Sequence, residues 1–273
     1  MSHRTVLVLA LALVLVSGLA ACNRAVSQAE LDALEAMPQP ERVAKLEALW
    51  AKYPDDIHLP DLLAKARWED YADMDGTARI EAVKADLRAD AEDPVTSKLL
   101  GDAYYDYARS GGGVNYLDSA LFAYENAALK DPNFLSAVGS VGSLYDEKED
   151  FGSAIQWYEK ALELEPDHVP TLCNIGASHY NKGDYAVAID YYRQALALDP
   201  DSQDAHYNLG VAFAEATIYR EAIAEWGKVI AVDSTTAIAK QAIKNSGLLQ
   251  DVLDETVYKN GRKSRRLNLK NTE

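Results

Sequence analysis

The sequence predicts an all-α fold: a solenoid of antiparallel helix pairs closed by a C-terminal capping helix. Three observations predict it. A segment of 34 residues recurs three times without a gap, at 135–168, 169–202 and 203–236. Small residues return at fixed places in each copy: Gly142, Gly176 and Gly210, then Ala154, Ala188 and Ala222, then Ala161, Ala195 and Val229. Pro166 and Pro200 close the first two copies, and Ser234 takes that place in the third. A period of this size belongs to stacked supersecondary units, each of which buries its apolar face only against its neighbours.

Each unit reads as two helices. In 169–202 the spacing predicts a first helix over 171–181 and a second over 185–197. Lys182-Gly183-Asp184 turns the chain between them, since glycine relieves the steric penalty of a tight helix end. Tyr185, Ile189, Tyr192, Ala195 and Leu196 recur at steps of three and four, which makes one apolar stripe. Gly176 and Ala188 fit the places where the two helices cross closely. Asp199-Pro200 ends the unit, because proline is disfavoured inside a helix and biases the residue before it away from helix.

These residues carry a resemblance. Asn174-Ile175-Gly176, Gly183-Asp184-Tyr185, Ala188-Ile189, Tyr191-Tyr192, Ala195-Leu196 and Asp199-Pro200, with Asn208-Leu209-Gly210, Phe213, Tyr219, Ala222 and Trp226 in the next copy, resemble the tetratricopeptide repeat. His179 stands where an aromatic is usual and Ser234 where a proline is usual. The resemblance implies a tetratricopeptide-type α-solenoid, a right-handed superhelix of about five to six helix pairs. It also implies that first helices line a concave face that binds peptides or extended segments. Carried over position by position, that face holds Asp102, Tyr105 and Asp106; Ser143, Asp146 and Glu147; Cys173, Ala177, Tyr180 and Asn181; and Asp204, Tyr207, Val211 and Glu215. Family members that grip a C-terminal carboxylate use Lys and Arg there together with Asn. Asn174 and Asn208 are present, but the face as read holds acids and no Lys or Arg. The ligand it suits is a protein or peptide with Lys or Arg between aromatic or aliphatic side chains, with Tyr105, Tyr180 and Tyr207 as platforms. The plainer alternative is that these acids keep the face soluble.

The rest of the chain takes its place around this array. Residues 1–21 read as an export signal, with Arg4 ahead of an unbroken apolar run at 6–16 that is too short for a spanning helix of about 20 residues. Leu19-Ala20-Ala21-Cys22 resembles a bacterial lipoprotein cleavage box, with Cys22 as the lipid-modified residue. Asn23 is not the Asp that, in enteric bacteria, resembles an inner-membrane retention signal, which tilts the reading towards the outer membrane, facing the periplasm. Residues 22–28 are a polar tether. Residues 29–94 read as two degenerate helical repeats, with second-helix spacing over 41–53 and a further pair over 62–71 and 77–89. Residues 95–134 read as a repeat with an insertion of about seven residues containing Ser110-Gly111-Gly112-Gly113, which extends the tetratricopeptide region to 95–236. A glycine run cradles phosphate only when a helix start and Lys-Ser or Lys-Thr follow. None follows, so a flexible loop is the reading. Residues 237–258 read as the capping helix. The tail 259–273 holds Lys259, Arg262, Lys263, Arg265, Arg266 and Lys270 against one acid, Glu273. It reads as a solvated tail; the functional readings are contact with anionic lipid headgroups or self-association with the acidic body.

Composition and chemistry bound the function. The formal charge is −16 and the pI is near 4.7, which argues against nucleic acid as a partner, since phosphate contacts need Lys and Arg. No catalytic constellation is visible. His3, His58, His168, His179 and His206 lack metal-ligand spacing, and His179 reads as a packed core residue. Cys173 lies on a first helix with no Lys or His motif beside it, which reads as packing rather than a nucleophile. No cofactor is implied. The function these features suit is a non-enzymatic, lipid-anchored periplasmic adaptor that binds a protein partner and supports assembly or localisation of an envelope complex. The alternatives are a self-associating structural scaffold of the envelope and a regulatory subunit of an envelope enzyme.

Overall fold

The computed structural model describes the backbone of residues 27–270 and the side chains of 27 and 29–255. The export signal, Cys22 and nearly all of the tether lie outside the described residues, as does 271–273. Among the described residues there are thirteen α-helices, packed in consecutive pairs, and no strand. They are α1 (Gln28–Glu35), α2 (Gln39–Lys52), α3 (Leu59–Trp68), α4 (Gly76–Ala89), α5 (Pro94–Tyr107), α6 (Asn115–Lys130), α7 (Leu135–Glu147), α8 (Phe151–Leu164), α9 (Val169–Asn181), α10 (Tyr185–Leu198), α11 (Gln203–Glu215), α12 (Tyr219–Val232) and α13 (Ala237–Lys270). Contacts divide the chain inside α7, between Leu144 and Tyr145, into two compact units. None of the helices among the described residues is long and apolar enough to cross a membrane.

In the first unit, helices α1–α4 occupy the stretch read as degenerate repeats. The helix read over 62–71 lies three residues earlier, at Leu59–Trp68, because Pro60 opens its first turn. Arg79 closes the α3–α4 connection. Its guanidinium donates to the carbonyls of Tyr71, Ala72 and Met74 and stands 5.0 Å from the Trp68 ring centre. Arg67 reaches outward from α3 to Glu47 on α2 and to Asp93, whose carboxylate also caps the start of α5. Leu59, Leu63, Val83, Val95, Leu99 and Ala120 are buried between these helices.

The glycine-rich insertion differs from the loop read in the sequence. Ala108–Gly112 continues α5 through a π turn. Tyr107 is the reason: its ring packs over Gly112 and meets Tyr116 edge-on at 4.8 Å. Gly111 and Gly113, at φ 105° and 107°, then take the backbone where other residues rarely go.

In the second unit the 34-residue period is visible atom by atom. A β-carbon on Gly176 would stand 2.7 Å from the Tyr192 ring, and one on Gly210 would stand 2.5 Å from the Trp226 indole nitrogen. The same fit joins Gly101 to Tyr124 in the first unit. The small residues are therefore seats for the aromatic of the second helix. The helix-to-helix turn also repeats: Glu149, Gly183 and Thr217, each 34 residues apart, all sit at positive φ (61°, 84° and 62°). Ala188, Tyr192, Leu209, Ala212, Phe213, Trp226, Val229 and Ala242 form one core that runs from α10 into α13. The last helix thus covers the final repeat. It extends to Lys270, past the end read at Tyr258, so 259–270 continues the helix instead of forming a separate tail.

Candidate functional site

First helices of adjacent repeats touch one another: α3 with α5 in the first unit, and α9 with α11 and α11 with α13 in the second. Side chains one turn apart on these helices therefore share a face. The fold brings some of the candidate residues to it and turns others inward.

In the first unit Asp102 is committed inside the protein. Lys98 Nζ donates to one carboxylate oxygen at 2.8 Å and the Tyr124 hydroxyl to the other at 2.9 Å. Burial pushes its carboxyl above the usual range, against the pull of Lys98 and Tyr124. Asp106 pairs with Arg79 at 3.1 Å. Tyr105 lines a cleft with Trp68, Lys65, Lys98 and Asp102. The reading of a face without cations therefore fails here. Lys65 and Lys98 come from helix positions that the carried-over list did not contain: Lys98 stands one turn before Asp102 on α5 itself, and the packing of α3 beside α5 brings in Lys65. Ser143 is exposed on α7 in the same unit.

In the second unit Asp146 also turns inward. It accepts from the Ser178 hydroxyl at 2.7 Å and from the Tyr158 hydroxyl at 3.0 Å, which ties α7 to α8 and α9. Burial raises its carboxyl above the ordinary range although both hydroxyls oppose that. Glu147 is half-buried beside it in the sequence, and Asn181 is exposed at the end of α9. Asp146 as a ligand-facing acid is a misplacement: the spacing put it on the first-helix face, but Ser178, hidden one repeat later, claims it.

The remaining candidates do converge. Cys173, Tyr180, Tyr207 and Val211 pack against the top of the α10–α13 core and stay half-buried. Burial, then the nearby Glu215 carboxylate, raises the Tyr180 phenol above its ordinary value. Tyr207 is fixed at both ends: the Trp226 indole donates to its carbonyl at 3.1 Å, and Asn245 of α13 donates to its hydroxyl at 3.2 Å. Asp204 and Glu215 are exposed at either end of α11. Burial pushes the Cys173 thiol up to about 11, and Asp204 and Asp199 add to the effect, so the side chain remains a neutral packing group at neutral pH. His179 stacks on Tyr191 at 5.7 Å, a packing role.

One buried cluster carried no signal in the sequence. His206 is enclosed between Glu225 on α12, at 2.7 Å, and the Pro200 carbonyl, at 2.9 Å. It links a repeat to the turn before it, so its role is structural.

Comparisons with known proteins agree with this geometry. Two family models described as tetratricopeptide repeat match residues 136–201 and 173–238. A crystal structure of MamA is 20% identical over 62% of this chain and 94% of its own, with a TM-score of 0.53. MamA from Desulfovibrio magneticus is 16% identical over 66% and 97%, at 0.54. YrrB, described as a TPR protein with an unusual peptide-binding site, is 18% identical over 73% and 97%, at 0.51. No curated protein matches. Identities this low speak to the fold alone. The chain is an all-α, tetratricopeptide-type solenoid, and its residues 136–238 are tetratricopeptide repeats.

Proposed function

We propose that this chain is a protein-interaction adaptor, tethered to a bacterial envelope by lipid on Cys22 and facing the periplasm, which captures a basic segment of an envelope partner on the first-helix face of α9 and α11. One observation carries the reading. Tyr180, Tyr207 and Val211 form a half-buried aromatic and aliphatic floor, with the carboxylates of Asp204 and Glu215 exposed around it. An Arg or Lys side chain gains there from both a ring face and a carboxylate. The Asn245 and Trp226 bonds hold Tyr207 in place before any ligand arrives, which lowers the ordering cost of binding. The lipid supplies the rest of the mechanism: a tether raises the local concentration of the face near its partner.

The test compares wild type with Glu215→Lys and Asp204→Asn in intact cells, by crosslinking and identification of the captured protein. Tetratricopeptide-bearing YrrB is described with a peptide-binding site, which is why a protein ligand is sought. A rim charge pair is worth roughly 1 kcal/mol, so the partner's affinity should fall about fivefold or more. A partner held equally by all three forms removes the face from the mechanism. In parallel, Cys22→Ala should release the chain from the membrane fraction; retention there removes the tether.

A further inference from the structure

In the first unit, helices α1, α2 and α3 do not close on one another. They leave a recess of about 250 Å³ walled by Leu31 and Leu34 of α1, Leu46 of α2, and Leu62 and Ala66 of α3. Leu34, Leu46 and Ala66 are buried, so the recess reaches into the core. No aromatic ring is among its walls. The charged side chains that border it are already matched: Arg42 donates to the Glu69 carboxylate at 2.5 Å, and Lys65 pairs with Glu35 at 3.8 Å. A charged ligand has to break these pairs to bind there, whereas a plain hydrocarbon does not. Apolar cavities stay dry and take apolar guests; one of roughly 150 Å³ holds benzene.

The place of the recess in the chain points to one hydrocarbon. The start of α1 is fixed by a capping box: the Ser27 amide donates to the Glu30 carboxylate at 2.9 Å, and the Glu30 amide donates to the Ser27 hydroxyl at 3.3 Å. Only residues 23–26 separate Ser27 from Cys22. Five residue steps span at most roughly 17 Å. Leu31 and Leu34 lie roughly 6 and 11 Å along the helix from Ser27, at 1.5 Å per residue. One wall of the recess is thus the helix to which the tether is joined.

We propose that one acyl chain of the lipid on Cys22 seats in this recess of its own protein, an inference that rests on the lipid tether of the proposed function. The recess and the bilayer both take methylenes out of water, so the acyl chain exchanges between them. Stable anchoring takes two membrane signals, and one acyl chain alone holds a protein on a membrane only marginally. An acyl chain in the recess is one fewer in the bilayer, so seating loosens the anchor.

The experiment uses the full chain in bacteria fed palmitic acid that carries a photoreactive diazirine. The intact mass of the purified chain first shows whether Cys22 bears the labelled lipid; its absence removes the tether and this proposal together. With the label present, irradiation in cells should join the Cys22 acyl chain to a peptide from 28–52 or 59–68 of the same chain, in a product of one chain mass. Leu31→Gln makes one wall polar, and Ala66→Met fills the space while keeping it apolar. Each should cut the linked yield at least fivefold, with unchanged helical content as the check on folding. Links only to bilayer lipid or to other parts of the protein, a product of two chain masses, or a yield indifferent to both changes overturns the proposal and leaves the tether standing. So does an equal yield of the same links in Cys22→Ala, which assigns the recess to a free fatty acid.

Discussion

Gly210 exists for Trp226. A β-carbon on Gly210 would stand 2.5 Å from the indole nitrogen, which itself donates to the Tyr207 carbonyl at 3.1 Å and cannot move aside without losing that bond. Gly210→Ala therefore sets overpacking of about 1–3 kcal/mol against about 1 kcal/mol of improved helix propensity. The pinned ring puts the clash at the upper end, so thermal or urea unfolding should show a net loss of about 1–2 kcal/mol. Gly227→Ala is the control. It is an exposed helix-interior glycine with nothing near its missing β-carbon, so it should gain about 1 kcal/mol.

Thr217 occupies the turn position that Gly183 fills one repeat earlier, at φ 62°. A left-handed conformation costs a residue with a β-carbon about 1–2 kcal/mol, and a β-branched one is a clear outlier there. Glycine returns part of this through the greater freedom of its unfolded chain. Thr217→Gly should thus raise stability by about 0.5–1 kcal/mol. A loss in the same unfolding measurement would mean that the threonine has another role.

Asp131 keeps one carboxylate oxygen bonded to the Asn133 amide at 3.0 Å, while the other is buried with no hydrogen-bond partner. Burial raises its carboxyl above the usual carboxylate value. The folded protein then holds the proton more tightly than the unfolded chain. The corresponding stability is complete below the unfolded value of about 3.9 and is lost as pH rises through the folded value. At pH 7 the buried charge is a cost. Asp131→Asn should be more stable than wild type at pH 7, and the advantage should vanish as pH approaches 4. Parallel stability curves at both pH values would refute this.

The Asp146 carboxylate accepts from two hydroxyls on different helices, and Ser178 is fully buried. Ser178→Ala removes a donor to a half-buried charge and should cost about 1–3 kcal/mol. Charge reversal at Asp146 should cost more. By contrast, Glu215→Lys, at the exposed end of α11, should leave stability within about 0.5 kcal/mol. That contrast makes Glu215, not Asp146, the clean probe of ligand binding.

Most of the architecture was legible because it repeats. Gly176, Tyr192 and Ala188 announce a close helix crossing, and the crossing lies where the spacing put it. Where the period weakens, legibility fails for a physical reason. The Gly111–Gly113 run reads as a loop, yet two tyrosines from flanking helices, Tyr107 and Tyr116, hold a π turn there. Glycine reports conformational freedom, not what later packs over it.

The candidate face divides along the same line. The sequence by itself determined that residues 135–236 form stacked helix pairs, because each unit's apolar stripe and seat glycines are local and recur every 34 residues. It also placed Tyr180 and Tyr207 on the first helices of successive repeats. Only the tertiary structure decided which acids remain available. Asp102 is paired with Lys98 and bonded by Tyr124, and Asp146 accepts from Ser178 and Tyr158, while Asp204 and Glu215 stay at the surface. The physical reason is that, apart from Lys98 one turn before Asp102 on the same helix, the donors come from other helices, at sequence separations of 12, 22 and 32 residues, and no local spacing encodes which of them will be near.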